Sequence, residues 1–100
     1  MIKIEPIGES YYTGVRVTGH AVQGDDGISL ACAGISAGIY VTLFNLKRGA
    51  GEANVKSIIK PGHTEINIIT ETFSSKNAID SFLEFAKQVE KNYKGSVEIK

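Results

Sequence analysis

One hundred residues, 42% of them apolar, suit a single domain spanning 1–100 that can bury a modest core without staples. Eleven lysines and arginines against eleven aspartates and glutamates leave no net field, which argues against direct nucleic-acid binding and against an anionic membrane surface. One cysteine excludes an internal disulfide, and the start of the chain lacks a basic-then-apolar leader, so a reduced thiol in a cytoplasmic protein is expected.

Ile2 and Ile4 alternate with Lys3 and Glu5, and Val15 and Val17 with Arg16 and Thr18, the period of half-buried strands; Pro6 to Glu9 is expected to turn between them. Ile28 to Leu46 carries no formal charge and predicts a helix, which "KRGAGE" at Lys47 to Glu52 is expected to break. Its length approaches a membrane span, but Ser29, Gly34, Ser36, Gly38, Thr42 and Asn45 dilute it, so a helix buried in a core fits better. Gly34 and Gly38 each cost roughly 1 kcal/mol in a helix interior relative to alanine, which suggests close packing against their face. Val55 to Lys60 and Thr64 to Ile69 read as strands around Pro61 and Gly62. Ile79, Phe82, Leu83, Ala86, Val89 and Tyr93 then recur at helical spacing, with Ser74 or Ser75 as cap and Gly95 as terminator. Val97 and Ile99 mark a last strand. The expectation is an α+β fold in the order β-β-α-β-β-α-β, a mixed or antiparallel sheet carrying two helices.

The stretch "GHAVQGDDGISLACAGISAG" places His20 after the second strand and Cys32 near the start of the first helix. A thiol and an imidazole held together can form a thiolate nucleophile. Ser29 is an acceptable N-cap, which makes Cys32 the third helical residue, where unpaired backbone N–H groups favour a thiolate and can receive an oxyanion. Ser36 lies one turn on and can share the face of Cys32. The glycine-flanked pair Asp25 and Asp26 reads as a solvated loop with too few neighbouring ligands for a metal, and His63 reads as a turn residue. No cofactor is implied. A lone cysteine in an apolar helix is usually a small buried hydrophobe, and that reading stands beside the catalytic one.

"GHA", a glycine seven residues after the histidine, and "CAGISA" with its cysteine twelve after it resemble the signature of the ribosomal-processing cysteine proteases called Prp. The element order and the ending "NYKGSVEIK" extend the likeness over nearly the whole chain. The resemblance implies a catalytic dyad of Cys32 and His20, with Ser36, and Gly19 beside it, in the substrate cleft. It also implies a small homodimer that removes a short N-terminal extension from a large-subunit ribosomal protein, cutting after an aromatic pair. The family usually has an aspartate three residues before the cysteine, where this chain has Ser29. Serine keeps the capping ability but removes a carboxylate that can orient the histidine, which leaves as the alternative a non-catalytic dimeric binding module of the same fold.

Overall fold

The structure, a computed structural model, describes residues 2–8, 13–19, 26–60, 62–69 and 73–100, with side chains for all of these except 26–29 and 73. Strands β1 (Ile2–Ile7) and β2 (Gly14–Thr18) lead into helix α1 (Asp26–Ala50). A single 3-10 turn, Glu52–Asn54, precedes β3 (Val55–Lys60) and β4 (His63–Ile68), which are followed by helix α2 (Phe73–Asn92) and β5 (Val97–Ile99). The expected order is therefore present, in one five-stranded sheet with spatial order β3-β4-β2-β1-β5. It is mixed: β5 pairs parallel to β1, and every other pair is antiparallel.

One face of this sheet is apolar and carries the helices. Ile2 and Ile4, Val15 and Val17, Ile66 and Ile68, Val55 and Val97 are buried there against Ile35, Ile39, Leu43 and Leu46 of α1 and Ile79, Phe82, Leu83, Ala86 and Val89 of α2. Each fully buried Ile, Leu or Phe contributes about 1.5–3 kcal/mol relative to exposure, so this single layer of contacts dominates stability. On the other face Arg16 lies between Glu5 and Glu65 in register, 3.8 Å from the first and 3.5 Å from the second.

Of the boundaries that differ from the sequence expectation, three have a local reason. Pro6 lies inside β1, opposite Val15, rather than in a turn. Ile2 donates its N–H to Ser96, which puts the even-numbered N–H positions of β1 on the β5 side. There β5 pairs only as far as Ile4, so no ladder bond is lost at Pro6. Helix α1 runs through "KRGA" to Ala50, because Lys47 and Arg48 complement the negative end of its dipole. Gly51, at φ 92°, closes it by donating to the Lys47 carbonyl, while the Asn54 side chain caps Ala50. Helix α2 begins at Phe73, so Ser74 and Ser75 sit inside its first turn and neither is its cap.

Gly34 and Gly38 of α1 divide. A Cβ on Gly38 meets the Phe85 ring of α2 at 2.6 Å, so close packing against that face holds there. At Gly34 nothing among the described residues lies within 4 Å. The segment Leu30–Ala50 is long and apolar enough to cross a membrane by length and composition, with one third of its hydrophobic window buried in the fold. Its inward residues are core, whereas Leu30, Val41 and Phe44 stay exposed.

Candidate active site

Cys32 is a free, half-buried thiol on α1, packed against the edge of the core rather than sealed within it. It opens onto a cleft of about 370 Å³ between α1 and the β2, β3 and β4 end of the sheet. The floor is apolar, formed by the buried Ile2, Val17, Ile35 and Ile39 with Thr64. Tyr40 of α1 and Ile59 and Lys60 of β3 line the exposed rim. An apolar floor with polar side chains at its rim has room for an apolar side chain beside groups that can orient a ligand.

The helix start shifts one part of the expected chemistry. Because α1 begins at Asp26, Ser29 is its fourth residue and not its N-cap, and Cys32 is the seventh. The unpaired N–H groups of the first turn thus lie a full turn before Cys32, and the dipole's effect fades over that distance.

Ser36 lines the same cleft one turn after Cys32. Gly19 lines it from the end of β2, at φ 88°, its N–H held by the carbonyl of Gly62 at 3.0 Å. Cys32, Ser36 and Gly19 are therefore brought together. His20, the residue after Gly19, lies outside the described residues, as does Asp25. His63 is not in a turn: it opens β4, opposite Thr18 and Lys60. It borders the cleft, but its Nε2 stands 3.5 Å from Glu65 on the open face of the sheet. Glu65 also accepts from Asn67 at 3.1 Å, and this bond, with Arg16 and His63 beside it, holds its carboxyl below the ordinary value of 4.5 despite some desolvation. Among the described residues no cluster of three or more His, Cys, Asp and Glu could hold a metal.

Sequence reasoning missed Tyr40, Ile59 and Lys60 as cleft residues. The pattern of β3 contained no signal for them, since an edge strand and a core strand have the same composition until their neighbours are known. A larger groove of about 720 Å³ between α1 and α2 is lined by Gly38, Thr42, Asn45, Ser74, Phe85 and others. It offers neither thiol nor imidazole, so the smaller cleft is the one suited to chemistry.

Solved structures share this architecture. The chain is similar to the essential ribosomal processing protease Prp of S. aureus, in complex with a covalently linked product peptide, at TM-score 0.79 and 21% identity over 99% of this chain and 97% of that one. The same S. aureus protease with a substrate peptide gives TM-score 0.73 and 20% identity, over 99% and 95% of the two chains. A protein of Streptococcus mutans gives TM-score 0.76 and 20% identity, over 100% and 92%. No relative is found among curated proteins at a comparable level. At these identities the structures establish a common fold. A match to the family model for cysteine protease Prp runs from residue 1 to residue 98, through every element that builds the Cys32 cleft, and the chain belongs to that family.

Proposed function

We propose that this chain is a cytoplasmic cysteine endopeptidase that removes a short N-terminal extension from a large-subunit ribosomal protein, working as a homodimer with Cys32 as nucleophile and His20 as general base and acid. The observation that carries the reading is a free thiol on a peptide-sized cleft in a chain matched end to end by a cysteine protease family. The relatives with bound product and substrate peptides support a peptide as the ligand.

In this mechanism His20 takes the Cys32 proton, and the thiolate adds to the scissile carbonyl carbon. As the tetrahedral intermediate collapses, the carbon–nitrogen bond breaks and His20 returns the proton to the leaving amine. A water, deprotonated by His20, then hydrolyses the thioester and frees the thiol. Ser36 and Gly19 lie on the path of the substrate in the same cleft. The homodimer draws support from the exposed residues Leu30, Ala33, Ala37, Val41 and Phe44, which recur along α1 at steps of three and four, the spacing of a helix-to-helix seam.

The test incubates the pure chain with its own organism's extended ribosomal protein and follows product mass. A shortened product that Cys32→Ala and His20→Ala each abolish is the expected result. An intact protein that nevertheless binds the chain favours the non-catalytic module, for which Ser29 in place of the family's aspartate is the specific argument.

A further inference from the structure

β3 is an edge strand, and it forms one rim of the Cys32 cleft. Ile69 donates to the carbonyl of Asn54 at 2.8 Å, and Asn54 and Ile69 continue the register in which Val55 faces Ile68. Even-numbered positions of β3 therefore turn their backbone groups toward β4, and odd-numbered positions turn theirs outward. Of the outward N–H groups, that of Val55 is taken by the Glu52 carbonyl. Those of Ser57 and Ile59 face away from the sheet, with no partner strand among the described residues.

The same odd positions send their side chains to the helix side, since Ser57 and Ile59 oppose Ile66 and Thr64, which face the core. A strand added along this edge places every second side chain beside Tyr40 and Ile59, at the mouth of the cleft that holds Cys32. β3 also leaves Ile58 48% and Ile59 42% exposed, although exposed apolar residues on a free edge invite unwanted pairing. Continuity with the thiol's cleft decides for a substrate over another occupant.

We propose that the substrate docks by strand addition: an extended segment of the peptide pairs with the outward backbone groups of Ser57 and Ile59 and lowers alternate apolar side chains into the Cys32 cleft. This rests on the proteolytic reading above and adds to it the residues that align the chain before cleavage. Affinity then comes from backbone bonds, which any sequence supplies, and selectivity from the side chains that enter between Tyr40 and Ile59.

Ser57→Pro tests it, because proline removes an outward N–H without taking a bond from the β4 ladder, and Ser57→Ala is the control that keeps the N–H. The probe is a fluorescently labelled peptide spanning the N-terminal extension of the organism's ribosomal protein. Ser57→Pro is expected to weaken its binding, and to raise KM, about tenfold or more. Ser57→Ala, which keeps the N–H, should lose far less affinity than Ser57→Pro, and the alkylation of Cys32 by iodoacetamide should be the same in the two variants. In parallel, amide hydrogen exchange of the Cys32→Ala chain should slow at Ser57 and Ile59 when the peptide is added, a measurement that stands even if the proline variant does not fold. Unchanged peptide affinity in folded Ser57→Pro, or unchanged exchange at both amides with the peptide bound, overturns strand addition while leaving the protease intact. Exchange at those amides already slowed by raising the concentration of the chain alone assigns the edge to a second copy and overturns it too. A peptide that the unaltered chain neither binds nor cleaves overturns the proteolytic reading and this inference together.

Discussion

Cys32 owes its accessibility to its place on α1. The residues before and after it on the inward side, Ala31 and Ile35, are buried in the core, and Cys32 itself sits where that face meets the cleft. With the first-turn amides a turn away, His20 carries most of the thiol's activation under the proposed dyad. Iodoacetamide should therefore label the unaltered chain several-fold faster at neutral pH than the His20→Ala variant. A rate independent of His20, measured by mass over a pH series, would remove the dyad. Glu65 supplies a second titration on the opposite face. Its pKa is lowered in the fold, chiefly by Asn67, so the stability it adds is present above the ordinary value of 4.5 and is lost as pH falls through the lower folded value. Glu65→Gln should consequently lower the unfolding midpoint at neutral pH, and the difference from the unaltered chain should close on acidification below pH 4.5. Thermal melts across that range check it.

At the scale of elements, glycine positions separate close approach from loose packing. A Cβ on Gly14 would clash with the Ile66 carbonyl oxygen of the neighbouring strand, and backbone cannot swing aside as a side chain can. Gly14→Ala is expected to destabilise by about 1–3 kcal/mol, as other overpacked sites do. Gly34 lies in a helix with no atom of the described residues within 4 Å of where its Cβ would go, so Gly34→Ala is expected to stabilise by about 0.5–1 kcal/mol through helix propensity alone. Denaturant unfolding of the two variants, read side by side, checks both signs. Much of this level was legible beforehand. The alternation in β1, β2 and β4 and the 3.6-residue period of α2 follow from burial on one face, and sequence records which residues are apolar. Pro6 and "KRGAGE" misled because turn residues act through neighbours: the first is tolerated only because β5 is short, and the second only because Gly51 and Asn54 cap the helix late.

For the whole molecule, the outward stripe on α1 concerns assembly. If a second copy covers it, Phe44→Glu should convert the dimer to a monomer in sedimentation or light scattering while leaving the fold intact, since Phe44 is 59% exposed in the single chain. A chain that is monomeric before the substitution would remove the dimer from the proposal.

Sequence alone determined the element order and the core faces, and it carries a histidine and a cysteine at a spacing that resembles the family signature, because these depend on residue chemistry and on short-range periodicity. Tertiary structure decided that β3 is an edge, that Tyr40, Ile59 and Lys60 join Cys32 and Ser36 around one cleft, and that His63 turns its imidazole to Glu65. Residues as far apart as Gly19 and Gly62 meet only through strand pairing. The reason is that pairing and layer order arise from the mutual burial of distant segments, and no local pattern encodes which strand will find itself without a neighbour.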